Sequence, residues 1–170
     1  SAQATLAAVQ RSLARMKCAY IDVLQLHDPE FAPSLDILLQ ETIPAMLQCQ
    51  VKGWCRALGM TGYPLHVQHQ ILERSLQEFG RNIWDVSLTY GHYNLHNKSL
   101  LDRPISTTHA SFADYCVQHS MLLLAAAPLS MGLLTHREAP PAWHPASADL
   151  KVACSQAAAI CQEHNVDIAT

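Results

Sequence analysis

Charge is scarce in this sequence. Only 15% of its 170 residues are Asp, Glu, Lys or Arg, and the formal net charge is −3. Without a basic surplus there is no field to draw in a nucleic-acid backbone, so no nucleic-acid partner is expected. Long apolar runs are also missing. A membrane-spanning helix needs about 20 apolar residues, whereas "MLLLAAAPL" (121–129) is the longest run and Pro128 interrupts it. No membrane association is expected. No G-x-G-x-x-G follows any apolar run, which weakens a dinucleotide-binding doubly wound reading. The six cysteines (Cys18, Cys49, Cys55, Cys116, Cys154 and Cys161) include no C-x-x-C pair and no Cys/His group at zinc-finger spacing. No metal site is expected. The cysteines read as reduced thiols acting as small apolar residues in a cytoplasmic protein. The chain opens at Ser1 with no basic-then-apolar leader and no initiator Met. It reads as helical from its first residue, so it is expected to be a piece cut from a longer chain.

What is present is a core. The hydrophobic fraction is 49%, enough for a packed interior and too much for a disordered segment. The length fits one domain, 1–170. Leu6, Val9, Leu13 and Met16 recur at helical spacing behind Ser1, a fitting cap. A short β-rich run, 19–28, follows. The next helical pattern, from Leu35 to Leu47, ends near Lys52-Gly53, a basic residue and then glycine. Strands are predicted at 54–62, 83–91 and 121–129, and helices at 64–80, 105–120 and 148–165. Alternation with a strand about every thirty residues predicts a parallel sheet. The strands are apolar throughout, as strands covered on both faces must be.

Polar residues gather where these strands end. "DVLQLHDPE" (22–30) carries a strand straight into His27, Asp28 and Glu30. Thr61, Thr89-Tyr90 and Ser130 end the other three. In parallel α/β folds that edge is where chemistry sits. Taken alone, a single strand-end histidine is more often structural than catalytic. Asp28 reads as a cap for the next turn, and Glu30 as part of a solvated loop.

Five segments, "YIDVLQLHDPE", "ALGMTGYPL", "DVSLTYGHYNLHNKSLLD", "APLSMGLLT" and "PPAWHPASADLKVAC", resemble successive parts of the aldo-keto reductases. Within that superfamily they are most similar to the L-galactose dehydrogenase branch. The resemblance implies a partial (β/α)8 TIM barrel, about strands four to seven with their helices. A complete barrel typically takes ~250 residues. It also implies an oxidoreductase that uses NAD, with NADP as the alternative, on a small-molecule sugar.

The family works with an Asp, a Tyr, a Lys and a His. His27 matches the histidine, whose role is to hydrogen-bond the substrate oxygen. The other three normally lie in the first three strands and their loops, and nothing here matches those motifs. By the same resemblance Thr61 and Gly62 face the nicotinamide carboxamide, and Ser87 stands where the family usually has glutamine. Leu129, Ser130, Gly132 and Leu133 would cradle the pyrophosphate with backbone N–H groups. Ala126-Ala127 lacks the ring-stacking side chain often found there. Tyr90 and His92 would face the substrate.

Four strands cannot close a barrel, so two edges stay bare. Leu24, Leu26, Leu58, Met60, Leu88, Leu122 and Leu124 are candidates for the unclosed inner face or its opposite. Self-association through the open edges is expected. Two other readings are carried: a truncated, non-catalytic barrel fragment that binds nucleotide or a partner chain, and an unrelated doubly wound α/β module.

Overall fold

A computed structural model describes residues 1–136 and 143–170. The expected proline-rich loop at 130–147 therefore lies partly outside the described residues. The first helix, α1 (Ala2–Met16), is capped as expected: the Ser1 side chain accepts a hydrogen bond from the Ala4 N–H. It ends at Lys17 in the left-handed conformation, whose N–H bonds back to Leu13 and Ala14 carbonyls. Val9 and Leu13 are its buried residues.

Strands β1 (Ile21–His27), β2 (Cys55–Gly62), β3 (Val86–Tyr90) and β4 (Leu122–Ala126) form one sheet in the order β1-β2-β3-β4. Every neighbouring pair is parallel, as the alternation predicts. Between β1 and β2 the chain runs through α2 (Leu35–Ile37), a π-helical turn (Leu38–Thr42) and α3 (Ile43–Val51). The π turn ends two residues before Pro44, which has no N–H to give and whose ring crowds the preceding turn. Helix α4 (Leu65–Phe79) joins β2 to β3, and Gly80 ends it in the left-handed conformation.

The expected helix at 105–120 is the main departure. Only α6 (Phe112–Gln118) forms there, and a short α5 (Ser99–Asp102) lies before it. The Ser106 and Thr108 hydroxyls both bond the His109 ring, and Ser106 also accepts from the Thr108 and His109 N–H groups. These local bonds outcompete the helical ladder. Ser111 then caps α6 by accepting from the Asp114 N–H. The last helix is α7 (Ala148–Glu163). No helix among the described residues is long and apolar enough to cross a membrane.

Register separates the two faces of the sheet. Leu26, Met60, Ser87 and Leu123 form one row. His27, Thr61, Leu88 and Leu124 form the next row, on the opposite face. The helices cover the first face. Leu26, Leu58 and Met60 are buried there with Leu39, Ile43, Met46, Ile71 and Leu72, and Leu24 packs against them. The second face is open: Val23, Leu122 and Leu124 are 36%, 59% and 38% exposed. The seven leucine and methionine candidates therefore divide, with Leu88, Leu122 and Leu124 on the open face. Cys49, Cys55, Cys116 and Cys154 are buried as small apolar groups.

Candidate functional site

The site lies where the strands end. β1 ends at His27, whose Nδ1 sits 3.1 Å from an Asp28 carboxylate oxygen. Asp28 is left-handed (φ 47), and its N–H donates to the Thr61 carbonyl at 2.8 Å. Asp28 does not cap the turn Pro29–Phe31 with its side chain. Its carboxylate holds the histidine instead, which corrects the expected capping role. Glu30 also differs from the expected solvated loop. One of its oxygens accepts from the Tyr63 N–H at 3.0 Å, and the other is buried with no partner among the described residues. Together Asp28 and Glu30 tie the end of β1 to the end of β2.

Thr61 is in register with His27 and buried. Next to it, Gly62 has to be small: a Cβ there would stand 2.7 Å from the Glu30 carboxylate and 3.3 Å from Pro29 Cδ. His27 and Thr61 therefore stand in one row at the end of the sheet, and Gly62 follows Thr61 in the chain with the opposite parity.

Ser87 is not brought to them. It lies on the helix-covered face, fully buried, and its hydroxyl donates to Gln68 Oε1 at 2.8 Å. The residue in line with His27 and Thr61 is Leu88. Strand parity is the reason: adjacent residues point to opposite faces, so a one-residue shift exchanges a polar contact for an apolar one.

Tyr90, at the end of β3, is 38% exposed. His92 is committed to structure. Its Nε2–H donates to the Tyr63 carbonyl, which leaves Nδ1 to accept from Ser99 Oγ in the neutral ring (2.9 Å). Its ring packs 5.0 Å from that of Tyr63. It joins the loops after β2 and β3.

Past β4, Ser130 and Met131 (φ 48 and 54) and Gly132 (φ 94) are consecutive left-handed residues, a conformation non-glycine residues rarely adopt. The expected N–H cradle is largely committed elsewhere. The N–H groups of Ser130, Gly132 and Leu133 bond the Ala127, Leu129 and Ser130 carbonyls. The Leu129 and Met131 N–H groups have no hydrogen-bond partner among the described residues. The Leu129 and Leu133 side chains pack with Leu134, Leu150 and Cys154. An open cavity of about 550 Å³ adjoins this loop, lined by Tyr63, Tyr90, His96, Ser130, Met131 and Leu150 among others. A residue with a free amide (Met131), a serine, a histidine and apolar walls fit a diphosphate joined to a flat ring.

Two residues here were not singled out by the sequence reading. His96 Nε2 lies 2.8 Å from Ser130 Oγ, and His144 bonds the Ser130 carbonyl. Both were quoted in the sequence without a role, His96 in "DVSLTYGHYNLHNKSLLD" and His144 in "PPAWHPASADLKVAC".

Comparison with known proteins bears on the family and the fold. The chain is 37% identical over 162 residues to L-galactose dehydrogenase of Arabidopsis thaliana, covering 95% of this chain and 46% of that one. It is 34% identical over 164 residues to D-arabinose 1-dehydrogenase of Saccharomyces cerevisiae, covering 95% and 45%. The chain thus spans about half the length of the curated relatives it matches. Among solved structures, an aldo-keto reductase from Bacillus halodurans in its holo form superposes with a TM-score of 0.62 at 24% identity, covering 91% of this chain and 47% of that one. The fold is accordingly part of the aldo-keto reductase TIM barrel. The profile of the aldo/keto reductase family matches residues 1–170, and the chain belongs to that family.

Proposed function

We propose that the protein carrying this chain is an NAD-dependent aldose dehydrogenase that oxidises L-galactose to L-galactono-1,4-lactone, with residues 1–170 as one unit of its barrel and the cytoplasm as its compartment. The observation that carries the reading is His27. It stands at the carboxyl end of β1, its ring exposed and held by Asp28, in register with Thr61 on the open face. The sugar specificity draws support from relatives that act on L-galactose and D-arabinose.

In this reading His27 hydrogen-bonds the oxygen on the anomeric carbon and orients that carbon. Thr61 and Gly62 hold the carboxamide end of the cofactor, and the loop 129–133 receives its diphosphate. Tyr90 borders the substrate. A bound nicotinamide supplies the hydride acceptor. The base that takes the hydroxyl proton comes from a Tyr beyond this chain, its acidity raised by a neighbouring ammonium. The 170 residues alone are then inactive. The test is sugar-dependent NAD reduction by the whole protein, followed at the absorbance of NADH, with L-galactose, D-arabinose and L-fucose and with NADP in parallel. No turnover with any aldose would refute it.

A second reading, a non-catalytic barrel fragment that binds nucleotide or a partner chain, is favoured by Leu88, which brings an apolar side chain to the cofactor face. NADH binding without turnover by the whole protein supports that reading instead.

A further inference from the structure

The left-handed run Ser130–Gly132 is gripped from two sides. His144 is 5% exposed. Its Nδ1 accepts from the Ala146 N–H at 3.1 Å, which puts the ring proton on Nε2. That Nε2–H donates to the Ser130 carbonyl, also at 3.1 Å. The backbone of His144 is held in turn: Lys151 Nζ, on α7, donates to its carbonyl at 3.0 Å. Ser147 caps α7 by accepting from the Leu150 N–H. The donor is therefore aimed by a fixed ring on a fixed backbone. On the other side of Ser130, His96 meets its hydroxyl.

Non-glycine residues do not keep positive φ values unless their surroundings hold them there. Ser130 and Met131 both have such values, and the Met131 N–H is one of the two amides in the loop without a partner among the described residues. We propose that His144 is a positioning residue for the cofactor: through its Nε2–H bond to the Ser130 carbonyl it keeps the loop after β4 in the left-handed form that leaves the Met131 N–H free for the diphosphate. This rests on the reading above that the loop receives a nucleotide.

The test compares His144→Leu with His144→Gln. Gln keeps an N–H at about the reach of Nε2, whereas Leu keeps only bulk. NADH affinity is read by fluorescence titration of the whole protein, and amide hydrogen exchange is read over residues 130–133. Loss of the bond is expected to weaken NADH binding about tenfold in His144→Leu and to speed exchange at 130–133. His144→Gln is expected to recover most of both, which general destabilisation would not produce. Equal losses in the two variants, or wild-type affinity in His144→Leu, would overturn the proposal. If the wild-type whole protein binds no NADH, the nucleotide reading itself has failed. The positioning of the loop is then judged by exchange alone: faster exchange in His144→Leu than in His144→Gln upholds it, and equal exchange refutes it.

Discussion

Removing one hydroxyl decides whether Ser87 serves a ligand or the core. Its Oγ donates to Gln68 Oε1 at 2.8 Å, and Gln68 Nε2 donates to the Gly62 carbonyl, also at 2.8 Å. Both side chains are fully buried. Ser87→Ala leaves Gln68 Oε1 without a donor where water does not reach, a penalty of about 2 kcal/mol. For a domain of this size that lowers Tm by roughly 4–8 °C. Gln68→Leu strands two groups, the Ser87 hydroxyl and the Gly62 carbonyl, and is expected to cost about 3 kcal/mol. The two changes break one chain of bonds, so they do not add. In the Gln68→Leu background Ser87→Ala costs little, and the cycle shows a coupling of about 1–2 kcal/mol. The assay is urea unfolding of the four variants beside NADH titration. Unchanged affinity with lowered stability is the expected pair. Wild-type stability with affinity reduced about tenfold would show that Ser87 faces the cofactor and that the assigned face is wrong.

His69 makes stability depend on acid. Burial lowers its pKa below 6.5, His109 and His119 lower it further, and Glu73 opposes them. The unfolded chain therefore takes up this proton first, so stability is full above about pH 6.5 and falls as pH drops through the window below it. Replacing His69 with Gln should flatten that slope in urea titrations between pH 5 and 7.5; an unchanged slope would clear His69 of the role. His27→Ala in the whole protein is expected to reduce kcat/KM for the sugar about 10²-fold, and in the isolated chain, where the side chain is 74% exposed, to leave Tm unchanged. Gly62→Ala should push Glu30 off the Tyr63 N–H and cost about 1 kcal/mol, with no such cost once Glu30 is also Ala. Sedimentation of the isolated chain should show self-association that rises with concentration; a purely monomeric profile would mean that the open face is covered some other way.

The strands were legible because each is a short apolar block ending in polar residues, and α4 because Pro64 and Gly80 bracket it. The π turn was not, since the preference of Pro44 for a first-turn position hides what it does one turn earlier. The length of α6 was missed because the Ser106, Thr108 and His109 side chains compete with the helix through bonds that apolar periodicity does not register. The place of His27 at a strand end was legible from the apolar run that precedes it, but its role came only from the resemblance. The face that Ser87 takes was not legible, because a strand that is apolar on both sides gives no sign of which parity faces the helices. His144 lay beyond reach for another reason: it acts on a residue 14 positions away through a carbonyl that sequence cannot orient.

The two faces of the sheet also differ in how finished they are. On the helix side Gln68 and Ser87 are paired, whereas the Thr89 hydroxyl is buried without a partner among the described residues. On the other, Val23, Leu122 and Leu124 remain exposed, and β1 and β4 each have one strand edge with no neighbour in the sheet. His27 does not depend on that missing half for its position. Its Asp28 partner is the next residue, and the Asp28 N–H is fastened to Thr61 within this chain. In the proposed reading the histidine is set by contacts within this chain, whereas the base it serves comes from outside it. On that reading, a shaped binding edge becomes a reaction centre only in the whole protein.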